Sequence, residues 1–246
     1  MKNSSKCAAG FSLIELLVVS VIFTIITGAV FSLLLNSQVR YQSESSLTEA
    51  FQQANVVMDQ ITRDVHSAGY PPVSSVAAAS CSTKADKIAV PFAWSPNYFT
   101  NWPCNTPRNP AMPCVVRAGC SIPGDYDLIL EADPGDGNGV QWIRYSLSGT
   151  TLFRGVAQKA VGADPVSSTN AALIPYLDGV LNGSKSKAIF SYKPDTSFPP
   201  AANFGPADIR EVNISLIVQA SKPDPQTGQF RTISLTGQAI RLNPNQ

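Results

Sequence analysis

FSLIELLVVSVIFTIITGAVFSLLL, residues 11–35, holds a single charge, Glu15. As a helix this run spans about 37 Å at 1.5 Å per residue, enough to cross a bilayer core of about 30 Å. The preceding stretch, MKNSSKCAAG, is polar and basic through Lys2 and Lys6, which sets the N-terminus on the cytoplasmic side. A cleaved secretory signal would have a shorter apolar core ending in small residues. Here the far end reads Leu33-Leu34-Leu35-Asn36-Ser37, with no such site. Cys7 precedes the apolar run, which also argues against a lipoprotein anchor. Glu15 is the costly residue. A carboxylate in hydrocarbon costs about 2.5–3.5 kcal/mol even on the lenient insertion scale, so it either snorkels to the headgroups or serves a partner.

Beyond Leu35 the chain turns polar and keeps a helical period. Leu47, Phe51, Ala54, Met58, Ile61, Val65 and Ala68 recur at steps of four and three, forming one apolar stripe. Gly69 followed by Tyr70-Pro71-Pro72 is a stop signal. The expected helix therefore runs from Phe11 to Ala68, about 87 Å if straight. Gly28 is its one helix-weakening residue and the expected place for a bend. His66, near the helix C-terminus, is read as a dipole partner, not a ligand.

Gly10-Phe11-Ser12-Leu13-Ile14-Glu15 resembles the processing site of type IV prepilins and type II secretion pseudopilins. The resemblance implies that a prepilin peptidase/N-methyltransferase removes the leader, residues 1–10, after Gly10 and methylates Phe11. It also implies that Glu15 acts in assembly. The spacing suits this, because the new Phe11 amine lies one helical turn from Glu15. Between neighbouring subunits the two charges would form a register mark. The implied partners are other major and minor pilins and the pilus assembly machinery of the inner membrane. The implied location is a single pass of the inner membrane with a periplasmic head, and then the filament or its tip.

The expected organisation is a leader at 1–10, a transmembrane or filament-core helix at 11–35, its amphipathic continuation at 36–69, and a β-rich head at 70–246. Strand patterns fall at Lys87–Trp94, Tyr126–Glu131, Val140–Leu147, Thr151–Val156, Ala188–Tyr192, Ile209–Gln219 and Phe230–Leu242. Ser148-Gly149-Thr150 reads as a hairpin turn. The expected fold is α+β and type IV pilin-like: a long N-terminal helix closing one face of an antiparallel meander. ITRDVHSAGYPP (61–72), IRYSLSGTTLFR (143–154) and ADIREVNISLIVQA (207–220) resemble PilW-like minor pilins, and the second also resembles J-type pseudopilins. A minor pilin that takes part in pilus assembly is the leading reading. The alternatives are a J-type pseudopilin of type II secretion and an adhesin or ligand-binding head on a pilin stalk.

Loss of the leader removes Cys7 and leaves Cys81, Cys104, Cys114 and Cys120. An even number in an exported head suggests two disulfides, with three pairings open. Seven of the 19 prolines lie from Pro91 to Pro123, among Phe92, Trp94, Tyr98, Phe99 and Trp102. Regular strands cannot fill such a stretch. A disulfide-framed lid over about 81–123 is expected, with recognition through its aromatics as the sharper reading. Asp133-Pro134-Gly135-Asp136-Gly137-Asn138-Gly139 lacks the alternating ligands and later glutamate of an EF-hand, so it reads as a turn and calcium binding stays open.

The rest of the composition narrows function. Eighteen basic and 17 acidic residues leave a net charge of +1, with no field to capture nucleic acid. One histidine and no Cys-x-x-Cys leave no metal pattern. No nucleophile elbow or phosphate loop is present, so the chain reads as a structural subunit without a cofactor and not as an enzyme.

Overall fold

The structure is a computed structural model and describes residues 12–77, 82–93, 116–117, 119–160, 162–195 and 204–242. Its first element is a single α-helix, α1 (Leu13–Ser67), which passes Gly28 without interruption. From Leu13 to Gln42 every residue is exposed, about 45 Å of helix at 1.5 Å per residue. Burial begins at Ser43 and Ser46 and continues through Ala54, Val57, Met58, Ile61, Asp64 and Val65. The buried stripe is rotated from the expected one: Phe51 stays 46% exposed, while Ala50 packs against the core. Ile61 and Val65 are fully buried, and each such side chain contributes about 1.5–3 kcal/mol.

α1 ends where the sequence signals it. Gly69 takes φ +83°, the left-handed conformation that glycine adopts without a Cβ clash. Its N–H donates to the Glu131 carbonyl at 2.8 Å, which turns the chain onto the head.

The head holds two antiparallel meanders, not one. A five-stranded sheet runs in the order β1 (Phe92–Ala93), β2 (Asp127–Ala132), β3 (Gln141–Ser148), β4 (Thr151–Gln158) and β5 (Ile174–Leu177). A three-stranded sheet holds β6 (Phe190–Pro194), β7 (Ile209–Pro223) and β8 (Phe230–Ile240). The β3–β4 hairpin turns at Ser148–Thr151, as its Ser-Gly-Thr signal implies. In β7, Val212, Ile214, Leu216, Val218 and Ala220 are buried while the residues between them are half-exposed, the period of two expected for a one-faced strand. The main core joins this face to Ile61 and Val65 of α1 and to Leu128, Leu130, Ile143 and Tyr145 of the larger sheet. On the far face of that sheet Ile129, Trp142 and Ala93 form a second cluster, covered by Val166 of the short helix α2 (Pro165–Asn170).

The strand expected over Lys87–Trp94 shrinks to Phe92–Ala93, with Trp94 outside the described residues. Ala89 N–H donates to the Pro71 carbonyl and Val90 N–H to the Glu131 side chain. These donors are thus spent away from any ladder, and Pro91 has none to give. α2 and β5 were not expected. α2 nevertheless carries a start signal: Asp164 accepts from Ser167 N–H at 2.7 Å, with Pro165 in the first turn.

Arg241, just past β8, is fully buried, and its Nε and Nη2 have no hydrogen-bond partner among the described residues. Burial, with Arg210 nearby, pulls its pKa down to about 10. Arg241 Nη1 donates to the Ala207 carbonyl at 3.5 Å and the Asp195 and Asp208 charges favour its charged form, but a buried cation with no carboxylate bonded to it among the described residues opposes folding. Arg241→Met is therefore expected to keep or raise the thermal midpoint of the detergent-solubilised chain. A fall of several degrees would show that Arg241 stabilises the head.

Candidate functional site

Gly10 and Phe11 lie outside the described residues. Glu15 sits in the first turn of α1, exposed, and is not hydrogen-bonded or ion-paired to any described residue. Around it Leu13, Ile14, Leu16, Leu17 and Val18 are each at least 49% exposed, so this end of α1 is apolar and uncovered by its own head. The segment is long and apolar enough to cross a membrane. Three of its hydroxyls turn inward onto the helix. Ser20 Oγ donates to the Leu17 carbonyl, Thr24 Oγ1 to the Ser20 carbonyl and Thr27 Oγ1 to the Phe23 carbonyl, all within 2.8 Å. Such back-bonding satisfies these three hydroxyls within the helix, as an apolar setting requires.

At the other end, α1 is fixed to the larger sheet by a polar cluster around Asp64. Tyr145 Oη donates to Asp64 Oδ2 at 2.5 Å, Arg154 Nη2 at 3.0 Å, and Gln60 Nε2 donates to Oδ1 at 2.8 Å. Asp64 is 7% exposed and Tyr145 fully buried. Burial and then the Asp64 charge push the Tyr145 hydroxyl well above its usual range, so it stays a proton donor. A buried acid with all its donors in place holds helix and sheet in one relative position.

A second buried cluster holds the chain entering the proline-rich segment. Glu131 of β2 is fully buried; its Oε2 accepts from Lys159 Nζ at 2.6 Å and Val90 N–H at 2.9 Å, and its Oε1 from Trp142 Nε1 at 2.8 Å. Lys159 Nζ also donates to the Ile88 carbonyl at 3.0 Å. Where that segment returns, Arg117 pairs with Asp125, donates to the Phe190 carbonyl at 2.9 Å and lies over the Tyr192 ring. Cys120 is disulfide-bonded. Cys81, Cys104 and Cys114, with most of the expected lid, lie outside the described residues.

In the Asp133–Asn138 loop each acid is engaged locally. Asp133 accepts from Gly135 N–H, and Asp136 accepts from Asn138 and from Gln141 Nε2. These bonds, the one from Asn138 N–H first, hold the Asp136 carboxyl below its usual range. Among the described residues no three His, Cys, Asp or Glu side chains are grouped to hold a metal ion. His66 lies in the last turn of α1, and its carbonyl accepts from Leu242 N–H.

Residues 5–31 match the prokaryotic N-terminal methylation motif. The chain carries a type IV pilin-like prepilin motif. No curated protein and no solved structure matches the chain. The prepilin motif lies over the end of α1 that its own head leaves bare, and the long apolar helix with antiparallel sheets is a pilin-like layout. It implies a structural subunit anchored by one membrane-spanning helix, processed by a prepilin peptidase and assembled with other pilins.

Reading the sequence alone singled out Glu15 but none of Asp64, Tyr145, Arg154, Glu131 or Lys159. The signals were there. Asp64 falls three residues after Ile61 and four before Ala68, on the face of the stripe. Glu131 interrupts the apolar run Leu128-Ile129-Leu130. In a chain with only 14% charged residues, an acid inside an apolar run marks a buried partner.

Proposed function

We propose that this protein is a minor type IV pilin of the PilW-like kind, a structural subunit that takes part in assembling or priming the filament. The observation carrying this reading is the methylation motif at residues 5–31, set on a helix whose first half no part of its own head covers. In this proposal residues 1–10 are cut off between Gly10 and Phe11, Phe11 is methylated, α1 first anchors the chain in the inner membrane and then enters the filament core, and the head stays outside. Two disulfides among Cys81, Cys104, Cys114 and Cys120 close the lid. Resemblance at the helix end and in the later strands supports the PilW-like branch. The β3–β4 hairpin resembles J-type pseudopilins equally well, so the genetic test has two arms. Deletion should remove or shorten surface pili and leave secretion of exported enzymes intact; the reverse would assign the protein to type II secretion.

The intact mass of chain extracted from membranes should correspond to a start at Phe11 with one added methyl group. Retention of residues 1–10 in cells with an active prepilin peptidase would overturn the proposal.

A further inference from the structure

The two sheets leave four edges, and three are blunted. β1 is two residues long. β5 contains Pro175, and β6 ends in Lys193-Pro194 with a register shift. Short strands, proline, lysine and bulges are the devices that keep an edge from pairing with another chain. Past the register shift where Phe230 meets Pro223, β8 has none of them. It is 11 residues long, pairs with β7 without a shift from Thr232 to Ile240, and over that span carries no proline and no charge. No described strand lies on its other side.

The register shows which groups are open. Arg241 N–H donates to the Arg210 carbonyl at 3.0 Å, so Arg241 turns its backbone toward β7. With a period of two, so do Ala239, Gly237, Leu235 and Ile233. Thr232, Ser234, Thr236, Gln238 and Ile240 then direct their N–H and C=O groups away from the sheet. The next outward group, Leu242 N–H, is already taken by the His66 carbonyl, which closes this edge at its upper end.

β8 also runs alongside α1 in the same direction. Arg231 pairs with Glu44, Met58 lies against Gly237, and Leu242 meets His66. Those points span about 36 Å of strand and about 33 Å of helix, so the two are nearly parallel. Antiparallel β8-to-β8 pairing of two copies would therefore point their anchor helices in opposite directions. Chains anchored in one membrane cannot do that.

We propose that β8 is a strand-acceptor edge that takes an uncharged extended segment from the head of a different anchored subunit, continuing the three-stranded sheet. This rests on the filament-subunit reading. Main-chain hydrogen bonds supply the attraction, and the Thr232, Ser234, Thr236 and Gln238 side chains select a partner strand with small or hydroxylated residues opposite.

The test places a photo-reactive benzoylphenylalanine at Gln238 in full-length protein, in cells that assemble the filament. Irradiation should give an adduct with another anchored subunit, mapped by mass spectrometry to an extended segment of its head. Ser234→Pro and Thr236→Pro remove only outward N–H groups, so they should cut the adduct by about tenfold or more while the thermal midpoint of the solubilised chain holds. Thr236→Lys, which keeps every backbone donor, should do the same by charging the edge. An absent adduct, an adduct unchanged by all three variants, or one joining β8 of two copies would each overturn the proposal. If the unmodified protein is missing from sheared filaments, the filament reading fails, and this proposal with it. If it is present but no adduct forms, only the strand-acceptor proposal fails.

Discussion

Lys159→Met is expected to remove about 3–5 kcal/mol of head stability, because it takes the Lys159 ammonium away from the fully buried Glu131 carboxylate. Against a total of about 5–15 kcal/mol, that is a large share, and the thermal midpoint should fall by roughly 6–20 °C. Val90 N–H and Trp142 Nε1 still donate to Glu131, so the loss should fall short of complete unfolding. The segment from Ile88 to Val90 would lose its link to Lys159 Nζ and become the first site of proteolysis. The double variant Lys159→Met with Glu131→Gln removes both charges and keeps the acceptor for Trp142. It should regain most of the loss, since a neutral pair no longer demands a counter-charge. Melts of the two singles and the double, in detergent and with disulfides intact, measure the coupling. Additive losses would mean that the ion pair contributes nothing as a pair.

Glu15→Gln should abolish most incorporation into filaments without harming the head. The side chain sits at the start of α1, far from the first buried residue, Ser43, so folding has no means of sensing it. Membrane insertion should be equal or better, because the amide costs less in hydrocarbon than the carboxylate. Under the proposed reading, the Phe11 amine of a neighbouring subunit then remains buried without its counter-charge, a loss of about 3–5 kcal/mol where water is excluded. That corresponds to a fall of about 10²–10⁴ in docking affinity. The amount in sheared filaments relative to membranes, wild type against variant, reads it directly. Equal ratios would reduce Glu15 to an acid that snorkels to the headgroups.

Local patterns carried much of this architecture. The end of α1 at Gly69, the β3–β4 turn at Gly149 and the alternation in β7 each depend on neighbours a few residues away, and each is legible. The division into two sheets is not, because it depends on which strands pair over long separations. Val180 bridging to Val218 has no sequence signature. Lys87–Trp94 misled for a physical reason. Ile88, Ala89, Val90, Phe92 and Ala93 are buried, but the backbone donors of Ala89 and Val90 go to Pro71 and Glu131 instead of a neighbouring strand. Burial and strand pairing are separate properties, and hydropathy reports only the first. Position marks Asp64 and Glu131 as buried acids, but their partners are hidden, because Arg154, Tyr145, Lys159 and Trp142 reach them from elements far along the chain.

The near-parallel course of α1 and β8 bears on how the molecule carries force. A subunit held by its helix and pulled through its head is loaded along the helix axis, which is also the axis of β7 and β8. Every rung of the β7–β8 ladder, from Glu211–Ile240 to Gln219–Thr232, then lies across the direction of pull and shares the load at once, as rivets do in a lap joint. The Asp64 contacts and the Arg231–Glu44 pair sit near opposite ends of the overlap, where slippage of helix against sheet would begin. Had the strands crossed the helix at a right angle, the same tension would open the rungs one after another. The layout resists traction through simultaneous loading, so it needs no single strong bond.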